Sequence, residues 1–181
     1  MILDLRKHKS DYFGQFTKNG VIIDTCVLRV LIDGTIQSQF RKKTPNDFNY
    51  LLDFLELIKM KNQWSKFFIT PHILTETCRY FRDEYKDWAN FHELVALIIP
   101  ILDSMGESNE IKKAEVLNSI DFVKPIIEIG DISICLMAND FVKNNKKIAF
   151  LSIDGGLNGK YAADKNVLAM DFRQNIFNYI G

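Results

Sequence analysis

Four carboxylates occupy positions from which they could act together: Asp24, Glu76, Asp131 and Asp154. Asp24 closes the apolar run Val21-Ile22-Ile23, and Asp154 closes the run IAFLSI, Ile148 to Ile153. Glu76 sits about a turn and a half into a segment that starts Thr70-Pro71, and Asp131 follows Gly130 at the head of a helix-patterned stretch. Carboxylates gathered at one rim repel strongly at low effective dielectric unless a positive charge stands among them. An all-oxygen ligand set suits Mg²⁺ or Mn²⁺ better than zinc. Because Mg²⁺ favours a few carboxylates completed by waters and substrate phosphate, phosphate chemistry is the expectation. Each acid also has a plain structural use: Asp24 and Asp131 as helix N-caps, and Asp154-Gly155 as a turn.

The elements needed to position these acids are legible in the hydrophobic pattern. Residues 1–19 are mixed and polar, a short helix or an arm. Residues 20–24, 67–70, 147–153 and 167–170 are continuous apolar runs bounded by turn residues, as expected of buried parallel strands. A helix is expected over 25–32, stopped by Asp33-Gly34, and another after Thr44-Pro45 with Phe48, Leu51, Leu52, Leu55 and Ile58 on one stripe. Helices follow over 71–81, over 87–105 with a kink or break at Pro100, over 109–117, over 131–143 after a lead-in from Ile126 to Gly130, and over 172–179 with Asp171 as N-cap. Strands alternating with helices predict a three-layer α/β/α fold with a central parallel sheet, in a single domain spanning 1–181. In such sheets ligands bind outside the carboxyl ends of the strands, where Asp24 and Asp154 fall.

In order along the chain, VIIDTC, FITPHILTET, GDISICLMA and FLSIDGGL resemble the four motifs of PIN-domain nucleases, over about Val21 to Asp171. The resemblance implies strand order 3-2-1-4-5 and a Mg²⁺- or Mn²⁺-dependent endonuclease, usually acting on RNA. It places the catalytic and metal-binding residues at Asp24, Glu76, Asp131 and Asp154. Asp24, Asp131 and Asp154 would be ligands, and Glu76 would orient water or a second ion. Thr25 and Ser152 take supporting hydroxyl positions, and Arg79 and Arg82, a turn beyond Glu76, are the first candidates for binding the RNA backbone. One position departs from the family pattern: Cys26 stands where Asn or Ser is usual, and is expected to act as a small buried residue rather than a redox thiol. His72 is expected to be a surface or capping residue. Many small PIN proteins are toxins held by an antitoxin protein, which makes an antitoxin a candidate partner and a homodimer a candidate assembly. The region 82–128 is longer than in the smallest members.

Composition bounds the alternatives. The chain has 181 residues, is 47% hydrophobic, and balances 23 Lys and Arg against 23 Asp and Glu. No global field draws in a polyanion, so RNA binding must rest on local patches. Three widely spaced cysteines without zinc-type pairing, a start lacking an apolar signal core, and no apolar stretch long enough to span a bilayer predict a soluble cytoplasmic protein with no membrane partner. A catalytically weak PIN-like binding or scaffold module is the alternative to the nuclease. A receiver-like or phosphate-loop domain fits less well, because Gly155-Gly156 lacks the lysine pattern of a P-loop.

Overall fold

The computed structural model describes residues 1–107, 111–119 and 129–180. The three runs richest in Val, Ile, Leu and Phe become the middle of the sheet. Strands β1 (Val21–Ile23), β4 (Ile148–Leu151) and β5 (Val167–Met170) are buried at every position. β2 (Phe67–Ile69) and the two-residue β3 (Gly106–Glu107) complete an all-parallel sheet in the order β3-β2-β1-β4-β5. Register is direct: Val21 stands opposite Phe67 on one side and Ala149 on the other, and Ile23 opposite Leu151. Continuous apolar strands require cover on both faces. Helices supply it, giving the three-layer α/β/α architecture expected from the pattern.

On one side α2 (Thr25–Phe40) packs on α3 (Asn46–Leu57) and α4 (Pro71–Tyr85), and α3 packs on the last helix, α9 (Phe172–Ile180). On the other, α1 (Ser10–Thr17) and α7 (Ile129–Lys143) lie against β4, with α6 (Lys113–Leu117) on α7. α5 (Phe91–Asp103) and the short α8 (Gly155–Lys160) complete the described elements. Among the described residues no helix is long and apolar enough to cross a membrane.

Several boundaries differ from the sequence expectation, each for a physical reason. Residues 1–19 are a packed part of the fold: Phe13 and Phe16 of α1 are buried, and Leu3 donates its N–H to Ala169 of β5 at 2.8 Å. α4 continues to Tyr85 because Tyr85 buries against a second cluster with Ile32, Ile36, Leu94 and Ile98. Pro100 neither breaks nor ends α5, which runs on to Asp103; the lost N–H falls in the last turns, where the helix tolerates it. α6 begins at Lys113, and residues 109–110 of the expected helix over 109–117 lie outside the described residues, as do 126–128 of the lead-in to α7. Asp171 is the N-cap expected of it, accepting the Gln174 N–H at 3.1 Å.

The largest departure is at Asp33-Gly34, where α2 runs straight through the expected stop to Phe40. Gly34 is there for closeness, not for a turn. A Cβ on it would stand 2.0 Å from Cγ of Phe48, so the missing side chain lets α3 lay its buried phenyl ring on the α2 backbone. Replacing glycine by alanine within a helix ordinarily stabilises by about 1 kcal/mol. Overpacking a core contact costs about 1–3 kcal/mol, and with Phe48 held between α2 and α3 the clash wins. Gly34→Ala is therefore expected to lower stability in urea denaturation, and Gly34→Ala with Phe48→Leu to recover part of the loss. A rise in the unfolding midpoint for the single variant would show that the ring swings aside freely.

Candidate functional site

Parallel neighbours end at the same edge, so the segments after β1, β2 and β4 meet there. Asp24 takes the N-cap position of α2 but makes no capping bond with its side chain. Its Oδ2 instead accepts the Ser152 hydroxyl at 2.6 Å and the Cys26 thiol at 2.8 Å. Asp24 is 8% exposed and Ser152 wholly buried. Ser152 in turn accepts the Asp154 N–H at 3.0 Å. One hydroxyl thus fixes the carboxylate after β1 to the turn after β4.

Glu76 is exposed on α4, and its Oε2 accepts the Thr25 hydroxyl from the start of α2 at 2.9 Å. On its other side Gly130 leaves room: a Cβ there would stand 3.1 Å from both carboxylate oxygens. Gly130 and Asp131 open α7, whose start is tied to the start of α4 by a directed chain of hydrogen bonds. The Ile73 N–H donates to Thr70 Oγ1 at 3.2 Å, Thr70 donates to Ser133 at 2.7 Å, and Ser133 donates to the Gly130 carbonyl at 2.6 Å. Such a chain polarises each member in the same sense. Asp154 caps α8 through Oδ1, which accepts the Leu157 N–H at 2.7 Å.

All four predicted acids are therefore brought to the carboxyl edge, and two of the plain structural uses separate. Asp154 is an N-cap; Asp24 is not. In Asp24, Glu76 and Asp154 alike, protein donors hold one oxygen, and among the described residues none holds the second: Asp24 Oδ1, Glu76 Oε1 and Asp154 Oδ2. None of the three is ion-paired with a Lys or Arg among the described residues. Nor do any three His, Cys, Asp or Glu side chains among those residues stand close enough together to hold a metal ion. Linkage through Thr25 and Ser152 keeps the acids apart. All-oxygen donors are the type Mg²⁺ takes, usually one or two carboxylates with waters and phosphate supplying the remaining ligands.

The supporting positions Thr25 and Ser152 are both hydrogen-bonded to the acids. Arg79 and Arg82 are exposed on α4 and both face Asp83, at 3.6 and 3.7 Å. Sequence reasoning missed Ser133, whose signal was a hydroxyl on the buried side of an apolar helix, and Asn158, which donates from Nδ2 to the Ser152 carbonyl at 3.1 Å. Asp33 was read as a turn residue, yet it accepts the hydroxyls of Tyr80 and Tyr85 at 2.6 and 2.7 Å.

The fold and this edge define an all-parallel α/β domain with an acidic carboxyl rim. No protein-family model matches the chain, and no curated protein matches it. Among solved structures it is similar to the crystal structure of PAE2754 from Pyrobaculum aerophilum, with a TM-score of 0.54 at 13% identity over 90% of this chain and 96% of that one. The likeness shows a shared fold.

Cys26 has a definite protonation state. Burial first, and then the Asp24 charge and its hydrogen bond, push the thiol up to about 12. At neutral pH the group is an S–H donor, weak as a nucleophile, which accords with its expected lack of a redox role. Alkylation by iodoacetamide at about pH 8 is expected to modify exposed Cys78 well before Cys26, as read by peptide mass spectrometry. Because two of the three raising causes lie in Asp24, Asp24→Asn should speed the labelling of Cys26. Equal labelling of the two thiols in the native protein would contradict the S–H to Oδ2 bond.

Proposed function

We propose that this chain is a PIN-type nuclease, a Mg²⁺- or Mn²⁺-dependent endoribonuclease that hydrolyses phosphodiester bonds at the rim formed after β1, β2 and β4. The reading is carried by one observation: Asp24, Glu76 and Asp154, from three separated segments, each have one oxygen immobilised by a protein donor and one with no donor among the described residues. Motif order adds support, since VIIDTC, TPHILTE, GDISI and LSIDGG deliver their acids to this one edge.

Asp24 Oδ1, Glu76 Oε1, Asp154 Oδ2 and the Asp131 carboxylate would hold the cation. Bound there, a divalent ion supplies Lewis-acid polarisation of the phosphate and a more acidic water. The chain's own part is orientation. Ser152 and Cys26 lock the Asp24 carboxylate about its side-chain torsions, and Thr25 does the same for Glu76, so little reorganisation is left for the reaction. Ser133 and Thr70 hold the starts of α4 and α7 at fixed separation, and with them Glu76 and Asp131. The Cys26 thiol donates to Asp24 Oδ2 from the position where the resemblance expects an amide or hydroxyl, a weaker donor in the same place. The competing scaffold reading predicts the same packing without catalysis.

The test is cleavage of labelled RNA with and without Mg²⁺ or Mn²⁺. Lewis-acid stabilisation is worth several kcal/mol, so Asp24→Asn and Asp131→Asn are each expected to lower the rate at least about a hundredfold while the circular-dichroism melt stays two-state. Chelation should abolish cleavage, and returning the metal should restore it. A well-folded wild type that is inert with both metals across single-stranded and structured RNAs would favour the scaffold.

A further inference from the structure

The contacts between α2 and α4 form a ladder that starts at the acidic rim and leads away from it. Thr25, Arg29 and Asp33 follow at four-residue spacing and so lie one above another on α2; Glu76 and Tyr80 do the same on α4. The first rung is Thr25 to Glu76. The second is Arg29, whose guanidinium lies 4.1 Å over the Tyr80 ring, and the third is Asp33, accepting from Tyr80 and Tyr85. Farther on, where α2 ends, the Arg41 guanidinium lies 4.4 Å over Trp88. Arg41 is followed by exposed Lys42 and Lys43, the former with a left-handed backbone (φ 49°) that turns the chain out of the helix. From Thr25 to Arg41 the track measures about 24 Å along the helix.

What distinguishes these arginines from the others nearby is their lack of an acidic partner. Arg79 and Arg82 share Asp83. The two tyrosine hydroxyls take both oxygens of Asp33, the nearest acid on α2, and neither Arg29 nor Arg41 makes an ion pair among the described residues. Both are exposed, and each guanidinium stands over an aromatic ring, which pre-orders the side chain and leaves its outer face open. A flat cation of this kind can stack a base or grip a phosphate, and stacking requires bases that are not paired in a duplex. Glu84 and Asp87 lie along the α4 side, so the favourable strip is narrow and follows α2.

We infer that the Arg29–Tyr80 and Arg41–Trp88 stacks form a binding track for single-stranded RNA that feeds the acidic rim. The choice of RNA over other polyanions rests on the nuclease reading. The predicted contacts are few and the chain carries no net charge, so binding should be moderate and steeply salt-dependent.

The experiment measures anisotropy of a labelled single-stranded oligouridine of about 12 nucleotides against the Asp24→Asn protein in chelator, where no cleavage intervenes. In that background Arg29→Ala with Arg41→Ala should weaken binding roughly tenfold or more and lower the salt slope by about two counterions. Lys61→Ala, which removes a charge paired with Glu56 at the end of α3, should change neither. A duplex of the same length should bind no better after the arginines are removed than before. Affinity and salt slope unchanged in the double variant, or no saturable binding by the parent, would overturn the track. RNA cleavage by wild type together with arginine-independent binding would overturn the track and leave the nuclease. Arginine-dependent binding in a protein that cleaves nothing would do the reverse.

Discussion

A buried carboxylate without a cationic partner is the constraint around which this molecule is arranged. Taking a charge out of water costs several kcal/mol unless dipoles and hydrogen bonds replace the lost hydration. Asp24 has three replacements: the Ser152 hydroxyl, the Cys26 thiol and the start of α2, whose macrodipole favours an anion by about 0.3–1 kcal/mol. Each depends on a different part of the fold. Ser152 is in reach only because β4 is the direct neighbour of β1, with Ile23 opposite Leu151 and the Asp24 N–H bonded to the Leu151 carbonyl at 3.1 Å. Cys26 is in reach only because α2 starts immediately after the strand. Sheet order and carboxylate orientation are thus one property seen at two scales.

The same constraint fits the hydroxyl donors at Asp24 and Glu76, neither of which is ion-paired among the described residues. A lysine or arginine at 3 Å from Asp24 would neutralise its charge. A neutral donor fixes direction while preserving the charge. Ser152, Thr25, Thr70 and Ser133 all play this part, each placed at a strand end or in a first helical turn where a short side chain can reach across. Glycine contributes by absence: without a Cβ at Gly130, α7 approaches the Glu76 carboxylate closely enough for Asp131 to share its edge.

What could be read from sequence follows from how local each cause is. Buried parallel strands write themselves as continuous Val/Ile/Phe runs, so β1, β2, β4 and β5 and the acids that close them were visible without coordinates. The Thr70-Pro71 helix start was equally plain, because its cap bond spans three residues. β3 was not visible: two residues, Gly106 and Glu107, carry no periodicity, and their strand character comes from pairing with Phe68 and Ile69. Gly34 misled for a related reason. A glycine beside an aspartate signals a turn locally, whereas its cause here is the ring of Phe48, fourteen positions on in another helix. Arg29 escaped notice and Arg41 was visible only as part of the basic cluster Arg41-Lys42-Lys43, because basic residues are judged by clustering in sequence, whereas what sets these two apart is an aromatic partner 51 and 47 positions away.

On the nuclease reading, electrostatics poses a problem that the α2 side of the domain answers. The rim that attracts a cation repels a polyanion, and with 23 basic and 23 acidic residues no long-range field offsets that repulsion. At physiological ionic strength the Debye length is about 8 Å, so the rim's charge is screened over little more than one helical turn. Arg29 stands about 6 Å along α2 from Thr25, near that limit, and Arg41 lies well beyond it. A strand gripped first at Arg41 would meet the acids only as it neared Arg29, where bound cation would offset much of the rim's negative charge. Placing unpaired arginines along a helix that begins at the acid, rather than around the acid itself, lets a neutral protein hold both a metal and a polyanion without either neutralising the other's site.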